Sequence, residues 1–75
     1  MNLGEVSEGI SILRGYFDEP DGHHIGAEHD QIFIFRTDRP VSEGDVARLR
    51  DLGWFQPDIE EDAPYDPEEP WCAFV

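Results

Sequence analysis

The chain predicts an α+β fold, a small antiparallel β-sheet in the order β-β-α-β-β with one helix packed on one of its faces. Three observations lead there. The segment Ser42–Gly53 carries start, stripe and stop signals of a helix. Ile32–Phe35 is an uninterrupted apolar tetrapeptide of strand length. The remaining apolar runs, at 10–17, 54–59 and 71–75, are short and separated by segments dense in Pro, Gly and Asp. With 75 residues the chain makes a single domain, 1–75, roughly 30 Å across.

Taken in order, residues 1–9 are weakly patterned, with Gly4 and Gly9 bracketing a short entry segment. Residues 10–17 (ISILRGYF) predict a strand with Ile10, Ile12 and Tyr16 on one side and Leu13 and Phe17 on the other. Gly15 inside that run predicts a bulge or a close backbone approach. Residues 18–30 (DEPDGHHIGAEHD) are a long connection of turn formers. Gln31–Thr37 (QIFIFRT) is the central strand, because its apolar residues alternate onto both faces. Ser42 is the N-cap of a helix over about 43–52, with Asp45 three residues later in an approximate capping box and Val41 and Val46 at staple spacing. Val46, Leu49 and Leu52 form its apolar stripe, acids open it, arginines sit nearer its end, and Gly53 closes it. Residues 54–59 (WFQPDI) predict an edge strand shortened by Pro57. Residues 60–70 are too polar for core, and 71–75 (WCAFV) make the closing strand.

One helix covers one side of a sheet, yet the central strand offers Ile32 and Ile34 to one face and Phe33 and Phe35 to the other. The second face needs cover from the 18–30 loop, the 60–70 segment, sheet curvature or a second copy of the chain. Cover by the chain itself, hence a monomer rather than a homodimer, is the expectation.

Charge sets the limits on function. Eighteen Asp and Glu face five Arg and no Lys, for a formal charge of -13. Direct binding to nucleic acid or to an anionic membrane needs a cationic face, which this composition denies. No apolar run is long enough to span a membrane. The opening MNLGE lacks the basic and apolar regions of a signal peptide, so a cytoplasmic location is expected. Apolar residues at 39% and aromatics at 12% are too many for a disordered acidic tail. The result is a folded domain under strong self-repulsion, whose stability rises with salt.

Catalytic and metal chemistry find little footing. His23, His24 and His29 lie with Asp21, Glu28 and Asp30 in one segment, but adjacent histidines point apart in extended chain and no His pair has helical i, i+4 spacing. No nucleophile elbow and no lysine-bearing phosphate loop occur. Cys72, between Trp71 and Ala73, suits a small core residue better than a nucleophile. The expectation is a protein that is not an enzyme and has no cofactor and no metal.

What remains is the acidic surface. Asp58, Glu60, Glu61, Asp62, Asp66, Glu68 and Glu69 crowd one stretch, and Asp18, Glu19, Asp21, Glu28 and Asp30 another. If the fold sets the two stretches on neighbouring edges, they form one anionic surface able to fill a cationic groove built for DNA, with Tyr16 and Tyr65 as aromatic anchors. The missing lysine favours this over a plain solubility surface, which mixes signs. Pro20, Pro64, Pro67 and Pro70 stiffen the display. These twelve acids are the candidate partner-binding residues, and the partner is a basic nucleic-acid-binding protein or complex. The second reading is a small structural or adaptor module, in one form a dimer through its second sheet face.

The run HDQIFIF (29–35), then PVSEGDVARLRDLGW (40–54), then WCAFV (71–75) resembles small acidic proteins of phage and mobile elements, and among these anti-CRISPR proteins acting on type I systems. The resemblance spans 29–75 and rests on a strand, a capped helix, its Leu-Gly-Trp junction and a closing strand. It implies a stand-alone inhibitor in the bacterial host cytoplasm that blocks the target-DNA or PAM-recognition site of a Cascade-type complex, and it transfers no individual residue.

Overall fold

Helix formation begins at the second residue. Asn2 accepts a hydrogen bond from the Glu5 backbone N–H at 2.8 Å, and the Glu5 carboxylate accepts from the Asn2 N–H at 2.8 Å. This reciprocal capping box starts helix α1, Leu3–Arg14. Residues 1–60 and 62–75 are described in this computed structural model; Glu61 lies outside the described residues. The strand expected over 10–17 is therefore the end of a helix. Its alternation is a fragment of a longer stripe: Val6, Ile10, Leu13 and Phe17 recur at helical spacing, and the cap commits the chain to that period before the short run is reached. Gly15 sits in right-handed helical conformation as the C-cap, so the expected bulge is absent.

Gly9 lies inside α1 and is buried. The Trp54 indole rests on it so closely that a Cβ there would stand 2.0 Å from Trp54 Nε1. The same Nε1–H donates to the Glu5 carbonyl at 3.2 Å. Glycine here provides close approach between helix and indole.

Three strands follow the order β1-β2-β3, all antiparallel: β1 Ile25–Glu28, β2 Gln31–Ile34 and β3 Trp71–Phe74. Strand β2 is central, as expected, but ends at Ile34 rather than Thr37, and the closing strand forms as expected. Strand β1 lies within the stretch expected to be all loop. Its hairpin with β2 turns at His29, with φ of 45°, and Asp30. The run 54–59 contributes one bridge, Phe55 to Cys72, with N–H···O bonds of 2.9 and 2.7 Å, and no strand; Pro57 has no N–H to extend it.

Helix α2, Glu43–Leu52, matches the expected boundaries, with Ser42 as N-cap and Gly53 left-handed at φ 99°. The capping box is only half made. The Ser42 hydroxyl accepts from Asp45 N–H at 3.3 Å, but the Asp45 carboxylate accepts a hydrogen bond from the Tyr16 hydroxyl at 2.5 Å. Tyr16 in turn accepts from the Ser42 N–H at 3.2 Å. Aspartate is too short to reach back, and the tyrosine replaces it. The element order is thus α-β-β-α-β with two helices, in place of β-β-α-β-β with one.

Leu13 and Phe17 from α1 and its exit, Val46, Leu49 and Leu52 from α2, Trp54, and Ile34, Trp71 and Ala73 from the sheet share one core. The register places Ile34 opposite Trp71, so this is the isoleucine face of β2. The opposite face carries Phe33 beside Cys72 and Gly26. Neither acid-rich segment closes over it, because Phe35 and Phe74 remain 50% and 56% exposed. No helix among the described residues is long and apolar enough to cross a membrane.

Candidate functional site

The two acidic stretches meet a common strip of chain. Arg39 binds Asp18 at 2.5 Å and donates to the Gly15 carbonyl at 2.7 Å, while Arg36 binds Glu68 at 2.5 Å. Residues 36–39 therefore clip the 18–21 loop on one side and the 66–69 turn on the other. The backbone N–H of Asp18 donates to Asp38 at 2.8 Å, tightening the first clip. Asp21 is held by Arg14 at 2.6 Å.

Glu28 and Asp30 stand apart from this group. They flank the β1–β2 turn, at the opposite end of β2 from Arg36, about 15–20 Å away for six residues of extended chain. The twelve candidate acids thus form two groups. Tyr16 is committed to capping α2, and the Tyr65 hydroxyl accepts from Val41 N–H at 3.1 Å while its ring stacks on Trp71 at 5.9 Å. Both tyrosines serve the fold.

Charge is distributed unevenly between the stretches. Around 18–21, three acids are met by Arg14 and Arg39, which leaves little excess. In 58–69, Glu68 alone has an arginine partner among the described residues, and Asp58, Glu60, Asp62, Asp66 and Glu69 carry none. Glu61 adds its charge from the sequence. Of the two stretches, this second segment carries the larger anionic excess.

Its described residues form no helix or strand, and side chains from the body of the protein hold it. Gln56, 3% exposed, is the main clamp. Its amide donates to the Asp66 carbonyl at 2.6 Å and the Glu69 carbonyl at 3.2 Å, and accepts from the Asp66 N–H at 3.0 Å. Arg50 reaches from α2 to the Ala63 carbonyl at 2.8 Å. Turn bonds from Ile59 to Gln56, Ala63 to Glu60 and Glu69 to Asp66 complete the path. Asp58 adopts φ of 64°, a conformation Asp tolerates. The carboxylates therefore project from a backbone fixed at several points, which lowers the ordering cost of any contact they make.

Gln56, Arg36, Arg39 and Arg50 were not among the residues expected to matter. Gln56 had one visible signal, a lone amide between Phe55 and Pro57 in an otherwise apolar run. Its partners lie ten or more residues away, which local pattern does not encode.

The histidines do not converge. His24 stacks on Phe17 at 3.9 Å and donates from Nε2 to the Glu19 carbonyl at 2.6 Å, while His29 sits in the hairpin turn. No cluster of three or more metal-ligating side chains occurs among the described residues. Cys72 is buried, and that burial raises its thiol pKa against a smaller opposing hydrogen bond with Gln31. Among known proteins no family model matches the chain, and neither the curated proteins nor the solved structures provide a match.

Proposed function

We propose that this protein is a non-catalytic inhibitor whose 58–69 segment enters the cationic DNA-binding site of a nucleic-acid-binding complex. The supporting observation is the anchored acidic segment: carboxylates that, Glu68 apart, have no arginine partner among the described residues, on a backbone clamped by Gln56 and Arg50. Fixed anions on a body of 29 × 26 × 21 Å suit a groove lined with Arg and Lys. Binding releases the counterions of that groove, so affinity falls steeply with salt. The type I CRISPR effector suggested by the sequence resemblance, in a bacterial cytoplasm, is the first partner to test, at its target-DNA or PAM site. The twelve acids do not contribute equally in this reading; Asp58, Glu60, Asp62, Asp66 and Glu69 lead, and Glu61 adds its charge.

The test is displacement of labelled duplex DNA from such a complex at low and moderate salt. The wild-type protein is expected to displace DNA at low salt and lose potency at moderate salt. The triple reversal Glu60→Lys, Asp62→Lys, Glu69→Lys should abolish displacement while leaving the thermal melt cooperative. Equal potency of that variant, or displacement insensitive to salt, overturns the reading. The open phenylalanine face of the sheet favours a second reading, an interaction module that binds through apolar contact.

A further inference from the structure

The face of the sheet turned away from both helices is aromatic. Phe33, Cys72 and Gly26 share one row across the three strands, and Phe55 joins that row through its bridge to Cys72. Phe74 stacks on Phe55 at 5.2 Å. The Phe35 ring lies over Gly26, within 3.4 Å of where a Cβ would be, and its N–H continues the ladder to the His24 carbonyl at 2.8 Å. Four of the five phenylalanines are thus on this face, and only Phe17 is in the core.

From this arrangement we infer that the phenylalanine face is a docking surface for an amphipathic, arginine- or lysine-bearing segment of a partner protein. Two observations select this occupant over a second copy of the chain. The first is area: half-exposed Phe35 and Phe74 with partly exposed Phe33 and Phe55 present about 300 Å², taking roughly 200 Å² per phenylalanine. A stable dimer buries about 800 Å² per partner, of which about 500 Å² is apolar. The second is charge: two copies would bring -13 against -13, whereas a cationic segment is attracted. Glu28 occupies the same row as Gln31 and Phe74, and Asp30 adjoins it, so carboxylates edge the apolar floor where cations beside an apolar anchor would lie. Guanidinium groups also gain from the phenylalanine ring faces. The inference goes beyond the proposed function and rests on different residues from the 58–69 segment.

The probe is a fluorescent amphipathic peptide of about 15 residues with one leucine stripe and arginines opposite, read by polarisation beside a control of equal charge with serine for leucine. The wild-type protein is expected to bind the leucine peptide at least ~10-fold more tightly than the control. Phe35→Ser with Phe74→Ser should erase that preference while retaining the native circular dichroism and a cooperative melt. The Glu60, Asp62 and Glu69 reversal should weaken both peptides and preserve the ratio, which separates failure of this inference from failure of the proposed function. Equal binding of the two peptides, or a preference that survives the double phenylalanine variant, overturns it. So does a wild-type dimer in sedimentation equilibrium that Phe74→Ser dissociates.

Discussion

Replacing Gln56 with Leu removes three hydrogen bonds while leaving an apolar side chain of similar volume. Three backbone groups lose their partner: the Asp66 N–H, the Asp66 carbonyl and the Glu69 carbonyl. Asp66 and Glu69 are only half-buried, so water partly replaces the amide. A cost of about 1 kcal/mol per group, at the low end for an unsatisfied polar atom, gives about 3 kcal/mol in total. Against a stability of about 4–11 kcal/mol for a domain of this length, that is a large fraction. At about 4–8 °C per kcal/mol, the thermal midpoint should fall by about 12–24 °C. Circular dichroism melts at neutral pH measure it directly. Gln56→Glu gives an independent check, since an ionised carboxyl accepts from the Asp66 N–H but faces two carbonyl oxygens with no proton to give. Burial and those carbonyls raise the introduced carboxyl's folded pKa, so that variant should recover stability as pH falls through the raised value. A Gln56→Leu midpoint within about 3 °C of wild type would refute the claim that this amide anchors the acidic segment.

Two further substitutions test how the helices are joined. Gly9→Ala drives a methyl into the buried Trp54 indole, and should cost about 1–3 kcal/mol in urea unfolding despite the better helix propensity of alanine. Gly4→Ala, exposed in the same helix, should instead stabilise by up to about 1 kcal/mol; equal effects at the two positions would contradict the packing described. Glu8 accepts two hydrogen bonds from Arg48 at 2.5 and 2.9 Å, linking α1 to α2, and these bonds, with the Arg48 charge, hold its pKa below the usual carboxylate range. A depressed carboxylate contributes stability that is present above its unfolded pKa and lost as pH falls through its folded one. Glu8→Gln should therefore reduce stability at neutral pH and flatten the acid limb of the stability profile below about pH 4.5, read by melts across that range; an unchanged acid limb would refute this.

Local signals determined the parts of this fold whose neighbours in sequence are also their neighbours in space. Ser42, Val46, Leu49, Leu52 and Gly53 define α2 within a single segment, and the alternation of Ile32, Phe33, Ile34 and Phe35 marks the central strand. The α+β class follows from the same residues. The Asn2–Glu5 capping box is equally local, but the helical stripe from Val6 to Phe17 shows only over a window longer than the 10–17 run that reads as a strand. Tertiary structure decided the rest. A glycine in mid-helix acquires its meaning from an indole 45 positions later, and β1 forms in turn-rich sequence because β2 offers it a ladder. Gln56 and Arg50 hold the acidic segment at Ala63, Asp66 and Glu69. The aromatic face stays open because both helices pack on the isoleucine side, and composition carries no information about which side that is. Hydrophobic periodicity specifies which side chains share a face, while the long-range hydrogen bonds and contacts that seat one element on another depend on partners brought together only by folding.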